Sequence, residues 1–171
     1  MISKPTSVII NDRKYRVIEP SRLYCGYNVN TIPTALTQDQ WVPFSYPSEP
    51  IEVYRNKDFS IDPSQVRFTY TGSDPKFFEI SVVCNIKKTT KGGSSRDIEF
   101  QWRLNGTGVG PIRETHMSSK DAEIISGSGQ LLLSNGDYIE PYIRNIENSD
   151  DCVLYNCAYN IKEDITVALN N

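Results

Sequence analysis

The chain has 171 residues and a mass of 19.4 kDa, which fits one domain with a short extension and is long enough to bury most of its apolar side chains. It carries 18 basic and 21 acidic residues, and because phosphate binding normally needs a basic excess, the net charge of −3 argues against a nucleic-acid partner. Its apolar runs are far too short for a membrane span and no leader follows Met1, so we expect no membrane insertion and synthesis in a cytoplasm.

The first twenty residues are separated from the rest by their pattern. Segment Ser7–Ile18 predicts two short strands about a polar turn, and Pro20 ends it. We therefore predict an N-terminal arm or anchor hairpin at residues 1–20 and a main domain at residues 21–171. An ordinary edge hairpin of the main domain is an equal alternative.

The next forty residues or so are polar and β-prone. Segment Leu23–Leu36 predicts a strand, and Trp41–Phe44 begins another. Ile51–Phe59 is predicted to be a loop-rich connection. Four prolines exclude helix here and confine the strands to edges or rims: Pro33, Pro43, Pro47 and Pro50.

The two clearest strands lie in the middle of the chain. In Phe77–Ile86 the apolar residues Phe78, Ile80, Val82, Cys84 and Ile86 share one parity, which predicts a strand with one buried face. Ile98–Leu104 repeats the pattern, and Asn105-Gly106 then supplies a tight hairpin turn. We expect Ile80, Val82, Phe100 and Trp102 in the core.

The last third of the chain is also β in character. Leu131–Leu133, the turn residues 134–137 and Tyr138–Ile143 indicate strand, turn and strand of an antiparallel sheet. In the interval before them, which has no clear period, Glu123–Ser126 is predicted as a short strand in preference to a helical turn over Ser118–Ile124. Near the C-terminus one parity carries a row of residues predicted to share a face: Val153, Tyr155, Cys157, Tyr159 and Ile161.

The four cysteines lack the paired short spacings of a zinc site, and His116 is the one histidine. Because Cys84 and Cys157 fall on apolar parities, we interpret the cysteines as buried small hydrophobes whose thiols stay free in a reducing compartment. On that interpretation a reductant leaves the melting temperature unchanged. A bridge between Cys152 and Cys157 at the rim is the alternative.

Eight or more short strands without a helical stripe predict an all-β, antiparallel β-sandwich or barrel. Thr69–Gly72 followed by Phe77–Val82 resembles the strand by which C1q-like and tumour-necrosis-factor-like (TNF-like) jelly rolls enter their core. Phe100–Gly106 is similar to their next strand and turn, and Leu131–Glu140 to the leucine, Gly-Asp and apolar pattern near their end. The resemblance covers about Ser21–Leu169.

The subset that the chain most resembles is found in structural proteins of tailed phages and large DNA viruses, such as head fibres, decoration proteins and tail or receptor-binding proteins. This resemblance implies a jelly roll that assembles as a homotrimer and acts as a fibre, spike or decoration module in a virion, bound to capsid or tail proteins. The alternative that it leaves open is a receptor- or glycan-binding module acting on a host surface through Tyr- and Asn-rich rim loops.

Some apolar residues fall on the polar parity of strong strands. Phe77 and Val83 do so in one strand, and Tyr138 and Tyr142 share a parity in another. Aromatic surface left outside in this way has to be covered, so we predict an oligomer interface that includes Phe77, Tyr138 and Tyr142.

Enzymatic activity is not expected. The sequence has no nucleophile elbow, no metal-ligand cluster and no phosphate-cradling glycine loop, and His116 lies in a predicted loop. The acidic pairs Asp150-Asp151 and Glu163-Asp164 are candidates for calcium, but such pairs are usually only solvated. We predict no catalytic, cofactor-binding or metal-binding residues and no cofactor.

Overall fold

The structure, a computed structural model, describes residues 7–10, 13–16, 19–45, 47, 49–62, 65–89, 96–117 and 122–165. Parts of the predicted arm, residues 118–121 and residues 166–171 lie outside this range. No helix within it has the length and apolar character needed to cross a membrane. Its strands, in chain order, are β1 Ser7–Ile10, β2 Arg13–Arg16, β3 Arg22–Tyr27, β4 Val42–Pro43, β5 Glu52–Lys57, β6 Phe59–Ile61, β7 Phe68–Tyr70, β8 Lys76–Lys88, β9 Arg96–Leu104, β10 Thr107–Met117, β11 Glu123–Leu133, β12 Tyr138–Asn145 and β13 Cys152–Glu163.

Two antiparallel sheets form a sandwich, as the sequence predicts. The front sheet has the strand order β11-β8-β13-β3-β5, and the back sheet has the order β10-β9-β12-β7-β6. In the back sheet β7 and β4 occupy successive parts of one edge of β12, at Tyr138–Ile139 and at Tyr142–Ile143. Strands β1 and β2 pair with each other as a separate two-stranded sheet.

The core lies between the sheets and follows the predicted alternation. Ile80 and Val82 of β8 are 2% and 1% exposed, and Phe100 and Trp102 of β9 are 1% and 3% exposed, so the predicted inward faces are confirmed. The aromatic rings pack edge to face: the Phe100 and Trp102 centroids lie 5.6 Å apart. Such pairs contribute roughly 0.5–1.5 kcal/mol beyond their burial.

The two predicted turns have different outcomes. Asn105 and Gly106 adopt φ angles of 50° and 81°, which are those of a type I′ turn, and they join the paired strands β9 and β10. Residues 134–137 also reverse the chain, but they lead from β11 in the front sheet to β12 in the back sheet. The expectation that these two strands pair is therefore wrong, because a turn signature fixes a reversal and not the neighbour of the next strand.

Three stretches without a clear period are strands. The predicted loop Ile51–Phe59 contains β5, whose side chains are almost all exposed, so no apolar alternation marks it. The interval before residue 130 contains β10, which is bulged and exposed, and β11. In β11, Gly127 occupies an inward position where a Cβ atom would lie 2.1 Å from the Phe100 ring. Because only glycine fits there, the apolar alternation of β11 is interrupted at this position.

Strand β13 changes face partway along. Its pairing with β8 shifts register between Leu154 and Asn156, and this bulge reverses the parity of the residues before it. Cys152 and Leu154 are buried, whereas Val153 and Tyr155, which were predicted to face the core, are partly exposed. Cys157, Tyr159 and Ile161, beyond the bulge, are buried as predicted.

The cysteine prediction needs correction. Cys84 and Cys157 are buried as predicted, but they are directly opposite in β8 and β13 and form a disulfide with Cα atoms 4.1 Å apart. The alternative bridge from Cys152 to Cys157 is excluded, and Cys25 and Cys152 are buried outside the disulfide. Alternation showed which face each cysteine occupies, but the register that brings Cys84 and Cys157 together is not visible in one strand.

We predict that Trp102→Ala lowers the free energy of unfolding by about 3–5 kcal/mol, because it removes a large buried side chain and leaves a cavity that the neighbouring side chains cannot fill. Urea unfolding followed by circular dichroism measures the change. Gln101→Ala, at the neighbouring outward position of β9, is the matched control and should shift stability by less than about 0.5 kcal/mol. Equal stability of the two variants would contradict the face assignment.

The disulfide predicts that a reductant destabilises the protein. The bond closes a sequence separation of 73 residues, and its loss should cost about 4 kcal/mol on the chain-entropy estimate. Thermal melts with and without dithiothreitol measure this difference. A Cys84→Ala, Cys157→Ala double variant should melt at one temperature in both buffers, whereas Cys25→Ala should keep the sensitivity. A parent melt that dithiothreitol does not change would argue against the bond.

Candidate interaction surfaces

Acidic, cysteine and histidine side chains in the described residues form no group of three or more that would hold a metal ion. The two acidic pairs considered from the sequence are engaged in holding chain segments together. Glu163 Oε2 accepts hydrogen bonds from Lys76 Nζ at 3.0 Å and from the Ser21 amide at 2.8 Å. Asp151 Oδ1 accepts one from the Leu36 amide at 3.0 Å.

His116 lies on strand β10 and not in the predicted loop, although it is exposed as expected. Its Nδ1 is 2.5 Å from Oδ1 of Asp97, the residue opposite it on β9. This hydrogen bond raises the pKa of the imidazole above its usual value. When the imidazole is protonated, His116 and Asp97 form an exposed cross-strand ion pair.

Two asparagines at one end of the sandwich hold its loops in place. Asn30 and Asn145 are 1% and 0% exposed. The Asn30 Nδ2 group donates to the Leu154 carbonyl at 3.2 Å, and the Asn145 Nδ2 group donates to Asn148 Oδ1 at 2.7 Å. These two side chains fix the loops to the end of the sandwich and offer no surface to a ligand.

The structure separates the three residues predicted for an oligomer interface. Phe77 lies on β8 in the front sheet and points outward, with 43% of its surface exposed. Tyr138 and Tyr142 lie on β12 in the back sheet and are only partly exposed. Because the sandwich core lies between the two sheets, the three side chains cannot share one flat patch.

The outward side of the front sheet, here called the front face, carries large apolar side chains. Phe77 is directly opposite Leu132, and Val83 lies between Ser126 and Ala158. Tyr24 stacks on Tyr54 with ring centroids 5.2 Å apart. Six side chains of this face are 43–61% exposed: Tyr24, Tyr54, Phe77, Val83, Ile124 and Leu132.

Small polar residues occupy the middle of the front face. Ser81 of β8 is opposite both Ser128 of β11 and Asn160 of β13, and these three side chains line a shallow groove. The apolar residues lie on either side of this groove. The front face therefore has a polar, depressed centre bordered by exposed apolar side chains.

The outward side of the back sheet, here called the back face, is covered by arginines that stack on aromatic rings. Arg67 lies 4.2 Å from the centroid of the Tyr138 ring, and Arg103 lies 4.3 Å from that of Tyr142. Arg144 lies 4.8 Å from the centroid of Trp41. Such contacts contribute roughly 0.5–2 kcal/mol each, depending on solvation.

Two of these arginines also bind carboxylates. Arg67 Nε lies 2.8 Å from Oε1 of Glu140, a residue that is only 3% exposed, and Arg144 pairs with Glu99. The hydrogen bond to Glu140 raises the pKa of the Arg67 guanidinium. Partial burial beneath these groups raises the pKa of the Tyr142 hydroxyl. Tyr138 and Tyr142 are thus covered within the chain, and Phe77 is not.

Sequence patterns did not identify the arginine and aromatic stack of the back face. Arg103 and Arg144 do fall on the polar parities of β9 and β12, which was a signal that they point outward. What brings them beside Tyr142 and Trp41 is the register of β12 against β9 and β4. That register depends on pairings between distant segments.

Searches with the sequence found no match: no family model fits the chain, and no curated protein matches it. The fold does have counterparts among solved structures. The globular domain of zebrafish complement 1qA protein is 12% identical, with a TM-score of 0.50, over 82% of this chain and 94% of that chain. Murine APRIL is 11% identical, with a TM-score of 0.51, over 84% of this chain and 99% of that chain.

A third counterpart covers more of the chain. PRD1 vertex protein P5 is 10% identical, with a TM-score of 0.53, over 95% of this chain and 84% of that chain. At such low identity these likenesses concern the fold. The chain has the C1q/TNF-like jelly-roll fold, and this confirms the fold that the sequence resemblance implied.

Proposed function

We propose that the chain is a non-enzymatic structural protein of a virion, a homotrimeric fibre, spike or decoration module attached to a capsid or tail. The observation that carries this proposal is the likeness to PRD1 vertex protein P5, which spans 95% of this chain. The protein would be made in the cytoplasm of the host and reside in the particle. Residues 1–20 would form the attachment arm, and residues 21–171 the jelly roll.

The front face is the surface that we assign to the trimer. A jelly roll of the C1q type implies three copies about a threefold axis. In such a closed assembly every protomer has its interaction patch covered, so no patch remains free to bind a further copy. Burying apolar surface contributes about 25 cal/mol per Å², and half-exposed Phe77, Val83 and Leu132 provide such surface on one sheet. Tyr138 and Tyr142 are not part of this assignment, because arginines already cover their rings.

We expect light scattering of the purified chain to give three times the 19.4 kDa protomer mass. Val83→Arg should reduce this mass toward the protomer, because closure would bury three unpaired charges near one another. Ile112→Arg is the matched control: Ile112 is 47% exposed, against 51% for Val83, but it lies on β10 of the back sheet.

Circular dichroism shows whether both variants stay folded. A parent mass of 19.4 kDa at all concentrations would contradict the trimer. A trimer that survives Val83→Arg but dissociates with Ile112→Arg would contradict the choice of face.

The virion role predicts that the full chain sediments with particles that lack it, whereas a chain without residues 1–20 does not, although it keeps the oligomeric state of the parent. Immunoblotting of gradient fractions measures both. If the full chain instead binds host cells without particles and fails to bind particles, the receptor- or glycan-binding alternative replaces the virion role.

A further inference from the structure

One arginine of the back face differs from its neighbours. Arg67 binds Glu140 and Arg144 binds Glu99, but Arg103 binds no carboxylate among the residues that the structure describes. Like the other two arginines, Arg103 lies over aromatic rings. Its guanidinium is 4.3 Å from the centroid of the Tyr142 ring and 5.9 Å from that of the Trp41 ring. Glu140 lies opposite Arg103 on β12, but its carboxylate pairs with Arg67, so Arg103 is the arginine of this stack that makes no ion pair within the described residues.

The guanidinium of Arg103 is also short of hydrogen-bond acceptors. Within the described part of the chain it makes one hydrogen bond, from Nη1 to the Gly106 carbonyl at 3.2 Å. Its Nε is enclosed and has no acceptor. A guanidinium presents five N–H donors in a planar fork that matches a carboxylate, so most of this capacity is unused.

We propose that Arg103, framed by Trp41 and Tyr142, is the anchor point for an aspartate or glutamate side chain of another protein. Arginine, tryptophan and tyrosine are the residues that dominate binding energy in protein interfaces. All three side chains are partly exposed on the open face of a sheet, which suits a flat protein surface, whereas small ligands need a concave site. Rings beside the guanidinium reduce its hydration and strengthen its pairing with an acid.

This inference goes beyond the proposed function by naming the chemistry of a partner. If the front face closes the trimer, the back face lies on the opposite side of each sandwich and points away from the axis, toward neighbouring virion proteins. That orientation rests on the proposed function. The anchor at Arg103 does not, because it is built within one protomer.

The test uses the full chain labelled with ¹⁵N and a capped hexaglutamate peptide as the probe. Trp41 and Trp102 are the two tryptophans, so two indole N–H resonances report separately on the site and on the core. We expect a saturable shift of the Trp41 resonance, with no shift of the buried Trp102 resonance. In Arg103→Met the dissociation constant should rise at least tenfold, since the charge and the fork are both lost.

Three further samples make the result specific. Arg113→Met removes an exposed arginine from β10 of the same sheet and should leave the titration unchanged. Arg103→Lys keeps the charge but loses the planar fork, so it should bind hexaglutamate severalfold more weakly than the parent. If a shifted Trp102 resonance shows that Arg103→Met has lost its fold, Arg103→Lys replaces it as the test variant. Capped hexaglutamine at equal ionic strength should give no saturable shift.

Several outcomes would overturn the proposal. A shift that persists in folded Arg103→Met, or that hexaglutamine reproduces, would mean that Arg103 does not recognise the acid. Saturation by sialyllactose without saturation by hexaglutamate would make the ligand an acidic glycan and not a protein. A monomeric parent that still shows the hexaglutamate shift would reject only the trimer, whereas a trimer without the shift would reject only this anchor.

Discussion

Strand β8 pairs along nearly its whole length with β11 on one side and with β13 on the other, so its inward residues can only meet the opposite sheet. The other features of the front sheet depend on this constraint. Ile80 and Val82 fill the core because both edges of the strand are paired, and Cys84 meets Cys157 because β13 is held in register. Phe77 and Val83, on the other parity, cannot turn inward, and they remain as apolar surface on the front face.

Alternation within single strands was enough to predict the all-β fold and the inward residues of β8 and β9, and the residue pair Asn105-Gly106 was enough to predict the hairpin between β9 and β10. These features depend on neighbours in sequence. The disulfide, the bulge at Tyr155 and the position of Arg103 beside Tyr142 depend on how distant strands are aligned, and no single strand encodes that alignment. Strand β5 was missed for a different reason: both of its faces are exposed, so it has no apolar period.

The two outer faces show that aromatic residues on the outward side of a strand are either covered by other side chains of the chain or left exposed. On the back face Tyr138 and Tyr142 lie under guanidinium groups, and carboxylates such as Glu140 neutralise part of that charge. On the front face Phe77 and Leu132 lie side by side without such cover. Sequence parity treats all these residues alike. Only the identity of the residue across the strand, which register determines, separates surface that is already covered from surface available to a partner.

The hydrogen bonds of Ser21 and Lys76 to Glu163 define one end of the jelly roll. They bring the start of β3, the start of β8 and the end of β13 to one end of the sandwich. The loops around Leu36 and Asp151 meet at the other end, where β8 finishes. A strand as long as β8, with 13 residues, separates the two ends by about 40 Å. The loops that Asn30 and Asn145 hold therefore lie at the opposite end from Arg22, where the chain enters the sandwich, and substitutions in these loops leave the Ser21, Lys76 and Glu163 contacts unchanged.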